Sequence, residues 1–456
     1  MFSIPGILGL VVFIYVKPQE FVPGLETVPF LYLLLGLAMF GVVLDLKLGQ
    51  GKVDLPPHFT YVAAFFPWAC FTYLAKAGGG GFVAAALDLA IAVTLFVVLS
   101  LGVKSFKTYE VVLGSVLASS VFVALVGFHQ GFAPMSCAVQ EGNSEALRPD
   151  GRPCAVAEEC YSGDAEPGAD YRCEKQGLFG TVSVGGGRVR YRGVLKDPNE
   201  VALAIGVAVP ILLARVERKR SLTRMLALLF GLLLIGTTIV FTKSRGGMLV
   251  FMAALGAYFV KKHGAKGLVA GGVLAAPLVL LGGRSGSEAS SSSEERTEIL
   301  VEGLRMFREN PGLGVGYDQF TQYHHLTAHN SYLLALSEMG PLGLFLFFAI
   351  LYVSFKIVVS AVLRYDRAGE ALVARTWSMA LLASFTGIGV GIFFLSFTYH
   401  HVLWIYFGLS GALYGVIRRH DPSFEVKVGL TEHLLLGVAV VAFAAMLKVM
   451  IMLKGF

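Results

Sequence analysis

Charge is scarce in this sequence: only 15% of its 456 residues are Asp, Glu, Lys or Arg, against 55% hydrophobic, where a soluble domain is roughly a quarter charged. That excludes a soluble globular protein. A Walker loop is absent, and so is an Asp-x-Asp pair that could hold a magnesium-bound sugar nucleotide. The chain therefore has no visible means of using a nucleotide donor directly. The net charge of +6 is not gathered into a stripe but broken into short clusters between apolar runs, which argues against nucleic acid. Only five cysteines occur, and four of them fall in a single hydrophilic stretch.

A bilayer-crossing helix needs about 20 mostly apolar residues. Thirteen segments come near that length, at about 3–16, 28–46, 59–75, 82–101, 109–131, 199–214, 222–241, 244–260, 267–282, 330–355, 376–396, 400–417 and 431–452. The expectation is an all-α integral membrane protein of about 12–13 transmembrane helices with two long extracytoplasmic loops. The first segment lacks a basic leader and a small-residue cleavage site, and it reads as a retained span. With a cytoplasmic N-terminus, nineteen Lys and Arg fall in the inner short loops and four (Lys17, Lys76, Lys243 and Arg245) in the outer ones, a strong bias under the positive-inside rule. The parts are then 1–131 with five spans, an extracytoplasmic Cys-containing loop at 132–198, four spans in 199–282, a second outer loop at 283–329, and the C-terminal spans in 330–456.

Cys137, Cys154, Cys160 and Cys173 all lie in the first outer loop. In an oxidising compartment an even count implies two disulfides, with three pairings left open, rather than free thiols or a zinc knot. The loop is poor in apolar residues and needs such staples to stay compact. In the second loop, 283–293 (GRSGSEASSSS) reads as a flexible linker. An amphipathic helix comes next, opened by a Ser292 and Glu295 capping box and closed at Asn310-Pro311-Gly312.

Few polar groups remain for chemistry at the outer face. Arg245 opens the eighth span beside Gly246 and Gly247; it either snorkels to headgroups or, with free backbone N–H groups, forms an anion site. Arg296, Arg305 and Arg308 lie on the amphipathic helix, where a solvated charged face is the bland alternative. His329 stands just before a helix, whose positive dipole end disfavours imidazolium, so a neutral ring there can accept a hydroxyl proton. His324, His325 and His329 lack the spacing of a zinc site, so no metal is expected.

Four segments, in order, resemble the bacterial O-antigen ligase and O-antigen polymerase family. His329-Asn330, nine residues, Gly340, two residues and Gly343 reproduce its H-N-x9-G-x-x-G signature. RGVLKDPNEVAL from Arg192, TKSRGG around Arg245, and RTEILVEGLRMFRENPGLGVGYDQF from Arg296 are similar to its other motifs. The resemblance covers about 190–417; the Cys-containing insertion and a thirteenth span fall outside the family pattern.

The resemblance implies an inverting, metal-independent glycan transferase without a cofactor, in the bacterial inner membrane, acting at its outer face. The donor would be a polyprenyl-diphosphate-linked glycan and the acceptor a glycan, lipid A core or protein hydroxyl. His329 would be the general base, and Arg245 and Arg296 would clamp the diphosphate. Arg192, Asp197, Asn199, Arg305 and Asn330 are candidate substrate contacts, although Asp197 and Asn199 better suit a helix cap. Glu338 reads as structural, and Gly340-Pro341-Gly343 as a kink or close-packing element. A polymerase is the favoured reading, served by a flippase and a chain-length regulator; the alternative is a ligase to lipid A core or protein. A transporter of lipid-linked sugars is less favoured, because no internal repeat is visible.

Overall fold

The computed structural model describes every residue except 23, 26, 50–53, 141–146, 164, 219, 268, 270, 274–286, 366–371 and 454–456. Helices occupy twelve of the thirteen expected apolar segments. They are α1 (Ser3–Val16), α2 (Phe30–Lys47), α3 (Phe59–Ala77), α4 (Phe82–Gly102), α5 (Phe106–Phe132), α6 (Pro198–Gly206) continued by α7 (Val209–Arg218), α8 (Leu222–Phe241) and α9 (Arg245–His263). After the loop at 283–329 come α12 (Ser331–Arg364), α13 (Leu372–Gly391), α14 (His401–His420) and α15 (Leu430–Leu453). The segment expected at 267–282 lies largely outside the described residues. Among the described residues, seven helices are long and apolar enough to cross a membrane: α2, α4, α5, the α6–α7 pair, α8, α12 and α15. The protein is an all-α, multi-pass membrane protein.

The helix expected in the loop at 283–329 differs from expectation at its start. This helix, α10 (Ser287–Glu309), runs through most of the serine-rich stretch. Ser292 therefore lies inside the helix and does not cap it, and the linker reading of 283–293 fails from Ser287 onward. Serine's modest helix propensity is overridden by tertiary packing, because α10 buries Thr297, Ile299, Gly303, Leu304 and Met306 along one face. The four-residue α11 (Phe320–Tyr323) precedes α12.

The loop at 132–198 holds the one sheet among the described residues, three antiparallel strands in the order β2 (Leu147–Pro153), β1 (Met135–Gln140), β3 (Asp170–Lys175). The sequence does not announce it, since strands this short, one of them LRPDGRP, carry little β pattern. Two disulfides hold it. Cys137 joins Cys160 and Cys154 joins Cys173, with Cα atoms 5.6 and 5.9 Å apart. Around them Val139 and Tyr171 complete a small core.

The chain divides into two compact units. One comprises Met1–Val11, Phe30–Gly114 and Ser285–Phe456; the other comprises Val12–Pro29 and Ser115–Arg284. The four motif segments split between them, two to each.

Candidate functional site

In the first unit the signature histidine is placed by the start of α12. Asn330 is its N-cap: the side-chain oxygen accepts from the N–H groups of Tyr332 (3.0 Å) and Leu333 (2.9 Å). Its amide nitrogen donates to the carbonyl of Phe393 at 3.1 Å. Ser331 extends the same joint. Its N–H donates to Ile392, its hydroxyl donates to the Leu395 carbonyl (2.6 Å) and accepts from Phe397 N–H, and its carbonyl accepts from Thr398. These bonds fasten residues 392–398 against the helix start. His329, immediately before the cap, takes a left-handed backbone with φ 45°, which His tolerates better than most side chains.

A cavity of about 200 Å³ opens beside this joint. Arg296 and Thr297 of α10, His329 and Asn330, Phe393 and Phe394, and Leu447 and Met450 of α15 line it. Arg296 lies with its guanidinium carbon 6.0 Å from the centre of the Phe394 ring, within cation–π range. α10 reaches α12 closely because Gly303 has no side chain; a Cβ there would come within 2.7 Å of Leu333. The cavity thus presents one guanidinium and one imidazole against an apolar wall, a pairing suited to an anionic group attached to an apolar body.

The rest of the signature explains how α12 is seated. At Gly340 the helix breaks, with φ 68° and ψ −168°, and Pro341 comes directly after it. A break strands the preceding carbonyls, and three outside donors meet them. Val315 N–H reaches Ser337 (2.8 Å), Gly316 N–H reaches Glu338 (2.9 Å), and the Trp68 indole reaches Met339 (3.0 Å). Gly340 admits no replacement cheaply, because a Cβ would sit 2.2 Å from the Gly312 carbonyl oxygen. The Gly-rich turn and the broken helix are therefore two halves of one joint. Glu338, buried, ties it to further elements by accepting from Phe320 N–H (2.9 Å) and the Tyr399 hydroxyl (2.8 Å). This agrees with its structural reading. On the same turn, burial pushes the Asp318 carboxyl above its ordinary range, and the Asp88 carboxylate adds to the shift.

Other candidates of this unit serve elsewhere. Arg305 pairs along α10 with Glu302 (2.6 Å) and Glu309 (3.5 Å), and the bond to Glu302 raises its pKa. It does not line the cavity. The His324 and His325 rings stack on each other at 4.5 Å, and His324 Nδ1 accepts from Leu326 N–H. Among the described residues they form no three-ligand group with His329; such a group occurs at Cys137, Cys154 and Cys160, whose sulfurs are in disulfides.

In the second unit the two remaining motifs are joined to each other. Asp197 caps α6, its carboxylate accepting from Asn199 N–H (2.6 Å) while Glu200 accepts from Asp197 N–H (3.1 Å), a reciprocal capping box. The Asn199 amide donates to Asp197 and accepts from the Ser244 hydroxyl at 2.6 Å. Ser244 in turn caps α9 by accepting from Gly247 N–H at 2.9 Å. The expected anion site of Arg245 with free N–H groups needs amending, since the Gly247 N–H is engaged by its own cap. Gly247 also admits α6, because a Cβ there would lie 2.2 Å from Ala202. Arg245 itself is exposed at the first position of α9. Arg192 donates to the carbonyls of Glu20 and Phe179, a loop clasp rather than a group held open for substrate.

Sequence reasoning missed the apolar wall. Phe393, Phe394, Leu447 and Met450 come from late segments without a motif, and nothing local marks them as neighbours of His329. Comparison with curated proteins returns no match. Residues 229–348, from within α8 through the first half of α12, match the model of the family described as O-antigen ligase, so over that stretch the chain is similar to this family.

Proposed function

We propose that this protein is a glycan transferase which moves a lipid-linked oligosaccharide or polysaccharide from a polyprenyl-diphosphate donor to an acceptor hydroxyl at the outer face of the bacterial inner membrane, its N-terminus being cytoplasmic. The observation that carries the reading is the convergence of Arg296 and His329, from separate motif segments, on one cavity with an apolar wall. His329 accepts the proton of the acceptor hydroxyl. The hydroxyl oxygen attacks the anomeric carbon from the face opposite the diphosphate, with inversion, and the bond to the leaving oxygen breaks. The lipid diphosphate departs with the electron pair, and Arg296 takes up the charge that develops on it. No metal or cofactor is invoked.

Within this reading a polymerase, extending one lipid-linked glycan with another and working beside a flippase and a chain-length regulator, is favoured. Transfer to lipid A core or to protein is the second reading, favoured by the description of the matching family as O-antigen ligase. Purified protein in nanodiscs, given only polyprenyl-diphosphate-linked repeat units, should build a ladder of lengthening products in the presence of a chelator. Product formed only when lipid A core is added would establish the ligase. No product with any acceptor, from protein that still binds donor, would defeat both.

A further inference from the structure

The Cys-stapled insertion returns to the membrane before α6 begins, and its lowest point can be measured against two helices. Phe122 lies sixteen residues beyond the start of α5 at Phe106, about 24 Å along the axis. α8 gives a second ruler. Thr238, sixteen residues beyond Leu222, donates to the Ala124 carbonyl at 2.9 Å, which puts Ala124 also about 24 Å above the other end of that helix. A hydrocarbon core is about 30 Å thick, so with the starts of α5 and α8 placed at its near boundary Phe122 falls within it, several ångströms short of the far boundary. The Phe179 ring lies 5.7 Å from Phe122 and 4.8 Å from Phe21.

At this depth a loop must satisfy its own backbone groups. The turn at 177–181 meets several of them. Leu178 carbonyl accepts from Thr181 N–H and from its hydroxyl, Gly177 N–H donates to Thr181, and Arg192 covers the carbonyls of Phe179 and Glu20 together. The side chains, by contrast, point out of the protein: Leu178, Phe179 and Val22 are 42%, 45% and 37% exposed. Phe179 also holds a left-handed backbone, φ 58°, uncommon for a bulky residue. Apolar side chains turned outward over a turn whose carbonyls are capped by Arg192, at the depth of a bilayer boundary, fit the acyl-chain edge of a leaflet, with the partly exposed Lys17–Glu20 pair at its headgroup side.

We propose that Leu178 and Phe179, with Phe21 and Val22, form an apolar tip that inserts into the lipid leaflet on that side and moors the disulfide-stapled insertion to the membrane. Arg192 is the clasp that makes the tip compatible with lipid. The assignment does not depend on the chemistry proposed for the cavity.

Full-length Phe179→Trp and, as an aqueous control on the same insertion, Val156→Trp are reconstituted in phosphatidylethanolamine and phosphatidylglycerol vesicles, with the parent signal of Trp68, Trp377 and Trp404 subtracted. Val156 is 51% exposed on the stapled part. Lipids brominated near the top of the acyl chain should quench the Phe179→Trp signal at least twofold more than the Val156→Trp signal, and aqueous iodide should show the reverse order. Iodide quenching of both variants to the same degree would overturn the proposal. So would protection of the Phe179→Trp signal from both quenchers, which would mean that protein covers the tip.

Discussion

Where Asp197, Asn199 and Ser244 of the second unit bond one another and close two helix ends, Arg296 and His329 of the first unit line a cavity, and it is Asn330 and Ser331 beside them that do the closing. The same residue types occur in both places. The difference lies in what surrounds them: α6 and α9 meet at a small residue, Ala202 against Gly247, and leave no room, whereas Phe393, Phe394, Leu447 and Met450 bound a cavity beside Arg296 and His329. Motif membership therefore does not assign a role; the neighbour does.

The largest test of this contrast is His329→Ala. It should lower turnover about 100- to 10,000-fold while donor binding is largely kept. Arg296→Lys should restore little of the loss in Arg296→Ala, since an ammonium cannot reproduce the guanidinium fork. Near parental turnover in His329→Ala, measured with purified protein and lipid-linked donor, would remove the contrast at its root.

Next in size are the staples of the second unit. Replacing Cys137 and Cys160 together by Ala should destabilise the insertion by about 2–5 kcal/mol, seen as protease cleavage within 132–198. Peptide mapping of unreduced protein should recover Cys137 linked to Cys160 and Cys154 linked to Cys173; any other pairing would count against the sheet register.

Gly340→Ala asks whether the first unit's joint is as rigid as its contacts imply. A left-handed backbone costs a side-chain-bearing residue roughly 1–2 kcal/mol, and the overlap with Gly312 adds to that, so thermal unfolding in detergent should fall by several degrees. An unchanged midpoint would mean that the turn and helix can separate freely. A smaller effect, about 1 kcal/mol, is expected for Ser244→Ala, which loses the α9 cap. Smallest of all, Arg305→Ala should keep turnover within about twofold of the parent, a residue whose partners are on its own helix having little influence on the cavity; a larger loss would return Arg305 to the site.

Much of the scaffold was legible because hydrophobic length is a strong signal: helices stand at twelve of the thirteen apolar segments. The break at Gly340 was legible too, through Gly-Pro in a run of apolar residues. What could not be read was tertiary. Asn330 looked like a substrate contact beside His329, yet a residue in that place is free to cap, and it does. The left-handed turn of His329 and the approach of Leu447 and Met450, more than a hundred residues away, leave no local trace. The three short strands were hidden by composition, since their order comes from two covalent links and not from alternation.

The docking of the Gly-rich turn at residues 337–339 has a consequence for insertion and deletion rather than substitution. Between His329-Asn330 and Gly340 lies an uninterrupted helical stretch anchored at both ends, by the cap at Asn330 and by the carbonyls of Ser337, Glu338 and Met339, which accept from Val315, Gly316 and Trp68. Each residue added to such a stretch turns one end by about 100° relative to the other and lengthens it by about 1.5 Å. The nine intervening positions, all buried, therefore act as a gauge of angle: gaining or losing one would swing the imidazole about a quarter-turn around the helix axis, away from the guanidinium across the cavity.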